Sequence, residues 1–540
     1  MPSYTSPNLS SQQNQYHESS NKPHILIVGG GIGGLTLAIL LQHAHIPYTV
    51  LERSSNVRLL GSAIALGPGV LPLFEQVGLL EEIEQSSRPV TRGMVWSEKL
   101  IPIMDLDHTS TQKRYGSLTR VIARPTLYQI LLSHVPSEKL FMGKKVISFT
   151  QQHQHRSATA GGPSVESTGY KQQQHPIVIQ CADGSQFSGD ILVGADGAYS
   201  ITRRLLYQQI ENDYIASVSG QVNIPPSSSL PSPLPACDKE LLSFTSTCLV
   251  GQTRPGLDLS KFKYVRGPDC KVGSIIGDHK PYSWSVFSMP DDSICWMVTE
   301  HLGESFSAVS PASSVPSLSS PSPRSASPAP SASSTCSKSD EASSEWGPLQ
   351  VDIMCEQVKD FPIPCGPGLK MSDLIQNTDR DKISKVMLEE KLFETWSYGR
   401  VVLLGDACHK MHPSAGLGAV AAIQDAAILS DLLYQLPESP SLQDIQQVFE
   451  IYREDRYCMA QQSYETSYQM STLNEQSWIS NFIRKVMNNL PKWIWYRVLD
   501  RMYEYRPQVS FLPRVQDRGE MPPLPPSYTT YSNGFDIDID

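Results

Sequence analysis

An α/β fold follows from three observations in this chain of 540 residues. A short apolar run, His24 to Val28, leads straight into Gly29-Gly30-Gly31-Ile32-Gly33-Gly34. Such a run is typical of a strand buried on both faces of a parallel sheet. Between residues 270 and 300, apolar and polar residues alternate, as in an antiparallel sheet with one packed face. Beyond Asp425 the apolar spacing becomes helical.

The elements follow in order. Leu35 to Leu41 reads as a helix and Pro47 to Glu52 as the next strand, which completes a Rossmann-like βαβ unit. Ile191-Leu192-Val193-Gly194 and Val401-Val402-Leu403-Leu404 are two more buried strands, each leading into a turn with glycine and aspartate. Gly273 to Gly277, Tyr282 to Met289 and Ile294 to Thr299 supply the antiparallel sheet, the expected wall of a substrate cavity. Ala426 to Leu436, Ile445 to Leu473 and Trp478 to Val498 have helical spacing, with a break at Pro491.

This order predicts a split organisation. Residues 1–22 form a polar, disordered N-terminus, and residues 23–205 the first part of a nucleotide-binding domain with a variable insertion at 151–176. Residues 206–390 form a substrate domain interrupted at 306–345 by Ser, Pro and Ala, which cannot bury enough surface to offset ordering entropy. Residues 391–436 return to the nucleotide-binding domain, 437–515 are C-terminal helices, and 516–540 a loose tail.

Composition excludes several classes. A formal charge of -10 argues against a nucleic-acid binder. None of the ten cysteines forms a Cys-x-x-Cys pair, which argues against a thiol-disulfide enzyme or a zinc site. His409 and His412 alone do not make a metal centre, so no metal is expected. Residues 1–22 lack the apolar core of a secretory signal, and five glycines interrupt the apolar stretch from Ile25 to Leu41. The expectation is a cytoplasmic protein. Trp478, Trp493 and Trp495 among Arg484, Lys485 and Lys492 leave membrane-surface contact open, with packing favoured.

The chemistry lies in three separated segments. Gly29, Gly31 and Gly34 form a Gly-x-Gly-x-x-Gly turn: the first for the tight bend, the second for close approach of a pyrophosphate, the third for helix–strand packing. The following helix N-terminus offers free N–H groups to phosphate, and Glu52 can accept from ribose hydroxyls. Gly194-Ala195-Asp196-Gly197 brings a second backbone crossing near the cofactor, with Ser200 and Arg203 on one face of the next helix. Gly405-Asp406 ends the third strand, where a carboxylate can grip a ribityl hydroxyl. Gly416 and Gly418 then leave room for a ring, and the helix beginning near Ala419 turns its positive end toward it. A single nicotinamide site has no use for the second and third segments. Together the three point to FAD.

These segments, in this order, resemble the group A FAD-dependent monooxygenases of the para-hydroxybenzoate hydroxylase type, over about residues 22–435. The sequence is most similar to fungal secondary-metabolite members, and similar also to salicylate hydroxylase-like ones. The resemblance implies reduction of FAD by NADH or NADPH, and reaction with O2 to a flavin hydroperoxide. It then implies hydroxylation or epoxidation of a hydrophobic, aromatic or isoprenoid-type small molecule in an apolar cavity. It implies roles for Glu52 at the adenosine ribose, Ala65 beside the flavin in place of a more usual glycine, and Arg124 near the pyrophosphate or ribityl chain. Asp406, Gly418 and Ala419 complete the flavin site, and Asp196 with Arg203 handles FAD and NAD(P)H. Tyr214 is the catalytic candidate; Tyr214, Trp284 and Trp296 are candidates for the cavity wall, with plain sheet packing the favoured reading for each. Gly67-Pro68-Gly69 departs from the family's usual Pro-Asn-Gly. The alternatives are another FAD oxidoreductase, an isoprenoid reductase or halogenase-like enzyme, and a non-catalytic flavin-fold binding protein. The halogenase Trp-x-Trp-x-Ile-Pro signature is absent.

Overall fold

The computed structural model describes residues 22–56, 62–151, 176–219, 232–278, 281–307, 347–473, 480, 482–484 and 492–528. The predicted disordered N-terminus, nearly all of both insertions, and the end of the tail lie outside these residues.

Two large sheets organise the chain. The first runs, in order, Ser397–Tyr398, Val401–Leu403, Ile191–Gly194, Ile25–Val28, Tyr48–Leu51 and Leu140–Phe141. Its pairs are parallel except the first. The three strands singled out in sequence are therefore neighbours. Each is fully buried, as their uninterrupted Ile, Leu and Val predict. The helix Ile32–His43 packs against the helix Gly418–Tyr434 near this sheet, with Gly33 against Leu404 and Ala422.

The second sheet has ten strands. Ser384–Leu392, Ser243–Gln252, Ile294–Ser307, Tyr282–Ser288 and Cys270–Ile276 pair antiparallel in that order, and the last pairs parallel with Ser87–Ser97. Arg120–Ala123 and Ala63–Leu66 complete that edge. The sheet is mixed, where the sequence predicted antiparallel pairing alone. Four of its strands, including Pro102–Asp107 paired with Ser87–Ser97, come from the stretch before residue 205, because Ala63–Leu66 carries the chain from one sheet to the other.

Two further expectations are corrected. The helix Ile201–Ser219 runs unbroken through the expected boundary at 205/206. The tail is not loose up to Tyr528: the Tyr528 hydroxyl donates to Asp431 (2.9 Å), and Arg518 pairs with Glu75. Among the described residues, no helix is long and apolar enough to cross a membrane.

A buried charge cluster fastens these parts. Asp425 is fully buried. Its Oδ2 accepts from the Gly405 N–H (2.9 Å) and bonds His409 Nε2 (2.6 Å), and its Oδ1 accepts from Arg456 Nε (2.8 Å). Burial alone raises the Asp425 carboxyl, but the charges of His409 and Arg456 outweigh it and hold its pKa at about 2, below the ordinary 3.8. Removing one partner of a buried pair leaves an uncompensated charge, at a cost of about 3–5 kcal/mol. We therefore expect Arg456→Leu to lower unfolding stability by about that amount; a loss under about 1 kcal/mol refutes the role. The folded pKa lies below the unfolded one, so the stabilisation is present above about pH 4 and is lost as pH falls toward 2. Acid titration of wild type and variant should converge in that window.

Candidate cofactor and substrate site

The three turns meet at the carboxyl ends of adjacent parallel strands, where open α/β sheets bind ligands. Gly29 has φ +110°, and a Cβ there would lie 2.3 Å from the Ala195 carbonyl oxygen. A Cβ on Gly34 would lie 2.0 Å from the Gly29 oxygen. These glycines are demanded by the fold itself. Gly31 differs: a Cβ there meets nothing within 4 Å. It precedes the helix Ile32–His43, whose start has no side-chain cap, so its first N–H groups face open space. The Glu52 carboxylate folds back beside this turn and accepts from the N–H groups of Gly30 and Ser54, both at 2.8 Å.

In the second turn, Asp196 bonds Ser200 Oγ and accepts from the Thr202 N–H and hydroxyl, both at 3.0 Å. Its carboxylate thus caps the helix Ile201–Ser219. Arg203, buried on that helix, donates to the carbonyls of Ala198 and Ala407, both at 2.8 Å, and lies over the Phe393 ring. It ties the second turn to the third.

In the third turn, Asp406 accepts from Lys410 Nζ (2.7 Å). Fully buried Glu389 accepts from the Tyr199 hydroxyl, and burial raises its carboxyl. Arg124 is exposed at the start of the helix Arg124–Ser133, and its charge acts on Lys410 and on Tyr128, which Glu52 also influences. Gly416 has φ +67°, and a Cβ on it would stand 3.5 Å from the Ala65 Cβ. Gly418, like Gly31, has nothing within 4 Å of an added Cβ. Ala419 follows it in the first turn of the helix Gly418–Tyr434, which also lacks a side-chain cap. A cavity of about 20 Å³ lies between Ala65, Gly416, Leu417, Met502 and Tyr503.

Every predicted cofactor-site residue therefore falls on this edge or on the strands facing it. Tyr214 does not. It lies on the helix Ile201–Ser219, roughly 20 Å along it from the cofactor-side end, and that helix packs on the parallel sheet. The catalytic expectation for Tyr214 has no geometric support.

The large sheet divides sharply between its faces. Ile275, Trp284, Val286, Trp296 and Val298 belong to a buried core against the helices Pro348–Val358 and Met371–Ile375. Trp284 Nε1 donates to the Pro362 carbonyl (2.7 Å) and Trp296 Nε1 to Thr378 Oγ1 (3.0 Å). The tryptophans are therefore packing residues, turned away from the cofactor side. The opposite face carries half-buried Ser274, Ser283, Ser285, Met297, Thr299 and His301. Its end at Cys295 packs with Ala63 in one apolar cluster, which turns this face toward the cofactor edge. That face is mixed: Val272, Phe287 and Cys295 form an apolar cluster with Ala63 of the cofactor edge, and Ser274, Ser283, Ser285 and Thr299 add hydroxyls further along it. The alternation of serine in Tyr282-Ser283-Trp284-Ser285-Val286 carried that signal.

Cys408, His409 and Asp425 bring ligand-type atoms within 4.8 Å of one another. Both Asp425 oxygens already hold protein donors, so the trio reads as the structural cluster described above.

Comparison with known proteins agrees with this geometry. A family profile described as FAD binding domain matches residues 22–243 and 371–466. The chain is 26% identical over 419 residues to the FAD-dependent monooxygenase ctvC of Aspergillus terreus, covering 77% of this chain and 71% of that protein. It is 25% identical over 477 residues to the FAD-dependent monooxygenase dpchE of Colletotrichum higginsianum, covering 86% and 84%. Among solved structures, Klebsiella pneumoniae HpxO complexed with FAD and uric acid aligns with TM-score 0.61 at 16% identity, covering 89% of this chain and 96% of that one. With the turns converging as that fold requires, the chain belongs to the FAD-binding-domain family of group A flavin-dependent monooxygenases.

Proposed function

We propose that this protein is an FAD-dependent monooxygenase that uses NADH or NADPH and O2 to hydroxylate or epoxidise an aromatic or isoprenoid-type small molecule. The observation that carries the reading is the open space at Gly31 and Gly418, each preceding or opening an uncapped helix, on an edge otherwise closed by tight glycine packing. The chemistry that bound FAD supplies is two-electron activation of O2 at the expense of the nicotinamide. The chain supplies the rest. The uncapped start of Ile32–His43 receives the pyrophosphate. Glu52 exchanges its backbone donors for ribose hydroxyls, and Arg124 adds positive charge beside the phosphates. Asp406, held at the groove by Lys410, accepts from the ribityl chain. Ala65 and Gly416 keep the approach to the ring narrow. The start of Gly418–Tyr434, with Ala419, places a positive helix end where negative charge develops on reduction. Asp196 acts indirectly: it caps the helix that presents Arg203 to the third turn.

For the C-terminal helices we infer packing rather than membrane contact. Leu499 and Tyr503 are buried against Tyr115, and Arg484 is buried and donates to the Leu473 carbonyl. Trp493, the one tryptophan of the three whose side chain is described, is largely exposed, at 65%.

Two measurements test the proposal. Gly31→Ala adds a methyl that meets no protein atom, so the variant should fold like wild type but purify with at least about tenfold less FAD, as a clash at a phosphate cradle implies. Gly29→Ala should instead fail to fold, because its methyl strikes the Ala195 carbonyl. A fully flavinated Gly31→Ala protein would remove the pyrophosphate from this turn. The activity itself is read as NAD(P)H oxidation stimulated by aromatic and prenylated compounds, with an oxygenated product by mass spectrometry. A yellow protein whose flavin reduction no such compound accelerates would demote the monooxygenase reading in favour of another flavin oxidoreductase.

A further inference from the structure

We propose that Tyr503, at the end of the C-terminal helix Lys492–Tyr503, is a positioning residue for the isoalloxazine ring of FAD, packing its own ring beside the approach that Ala65 and Gly416 line. This rests on the proposed function above. It adds to that site a wall from outside the residues that the family profile matches, which end at 466.

The space for such a contact is present. The cavity of about 20 Å³ beside Ala65 and Gly416 is also lined by Thr119, Met502 and Tyr503. That volume admits about one water. A ring held against Ala65 and Gly416 therefore meets Tyr503 directly or across a single water. Tyr503 is 8% exposed, and its hydroxyl bonds Thr119 Oγ1 at 3.1 Å, which ties the tyrosine to the sheet.

The chain makes room for this ring. A Cβ on Gly67 would lie 2.8 Å from Tyr503 Cε1, closer than real Cβ contacts come. Gly67 opens the Gly67-Pro68-Gly69 segment, where the sequence departs from the family's usual one. A Cβ on Gly69 would lie 3.3 Å from the Tyr505 carbonyl oxygen. Gln424 Nε2 donates to that oxygen (3.1 Å) and to the Gly69 carbonyl (3.4 Å). The segment is thus a seat for residues 503–505. The helix itself is fastened by Asp500, which accepts from Arg114 Nε (2.7 Å) and Nη2 (2.8 Å) and from the Tyr115 hydroxyl (2.7 Å). A bidentate pair of this kind fixes direction as well as distance. The Tyr115 ring meets the Tyr503 ring edge-on, with 5.3 Å between centroids, a favourable aromatic geometry. A larger cavity, of about 360 Å³, lies between the helix Leu71–Gln76 and the tail. Tyr115 lines only that cavity and Tyr503 only the smaller one, so the two rings stand between them. Gly67, Thr119 and Tyr115 lock Tyr503 on three sides. The side left is the cavity at Ala65.

The test uses the purified, FAD-loaded full chain and reads flavin emission per bound FAD. A tyrosine ring in contact with an excited flavin quenches its emission by donating an electron; phenylalanine is too hard to oxidise to do so. Tyr503→Phe should therefore raise the emission severalfold over wild type. Thr119→Val removes the same hydrogen bond but keeps the tyrosine, so its emission should stay at the wild-type level. Tyr503→Ala should weaken FAD binding about tenfold, as loss of one aromatic contact and its buried area implies. Unchanged emission in Tyr503→Phe, or an equal rise in Thr119→Val, would overturn the inference. FAD binding by Tyr503→Ala within about twofold of wild type would overturn it too. If Tyr503→Ala does not fold, the two emission measurements decide. A wild-type protein that purifies without flavin would overturn the proposed function first, and this inference with it; a flavinated wild type with unchanged variants overturns this inference alone.

Discussion

The buried Asp425 carboxylate is the contact on which the cofactor edge depends. It joins the Gly405 turn, His409 after that turn, and Arg456 on the long helix Leu442–Leu473. Arg456 in turn lies over the Tyr505 ring, and Tyr505 bonds Asp455. The tail and the long helix are therefore held through the same charge that shapes the Asp406 turn. Such a pair is poor evidence of net stability, since burying both ions is costly. Its value is geometric: the Gly405 N–H has one place to go, and the turn has one conformation.

The other two turns are set by absence of atoms. Gly29 and Gly34 let two chain crossings approach closer than any Cβ permits, and Gly31 and Gly418 leave space that no protein atom fills. The first pair closes the structure, and the second pair keeps it open. Arg203 bridges the remaining gap by donating across from the second turn to the Ala407 carbonyl of the third. The edge is thus closely packed at Gly29 and Gly34 and open beside Gly31 and Gly418.

The large sheet separates stability from recognition. Its tryptophan face anchors the sheet to the helices Pro348–Val358 and Met371–Ile375. Its opposite face is largely half-buried and packs on the cofactor edge where Val272, Phe287 and Cys295 meet Ala63. A strand in this arrangement can change specificity at every second residue without touching the core at the residues between.

Much of the cofactor half was legible in the sequence because its signals are local. Strand, glycine turn and helix follow each other within a few residues, so the elements at Ile25–Val28, Ile32–His43, Tyr48–Leu51, Ile191–Gly194 and Val401–Leu403 fall where their apolar runs place them. Glycine spacing already set Gly29 and Gly34 apart for the fold from Gly31 for a ligand, and the room around an added Cβ divides them in the same way. Tyr214 was named from the family resemblance alone, and no local signal in the sequence says how far along the helix Ile201–Ser219 it stands from the cofactor edge. Packing was the favoured reading for Trp284 and Trp296, and the core cluster agrees, but period-two alternation by itself distinguishes two faces without saying which one is covered. The Asp425–Arg456 pair joins residues 31 positions apart. The sequence by itself determined the fold class, the cofactor turns and the alternation of the sheet. Which face meets the cofactor, and which buried groups find partners, was decided only by tertiary packing, because desolvation and charge pairing depend on neighbours that chain order does not reveal.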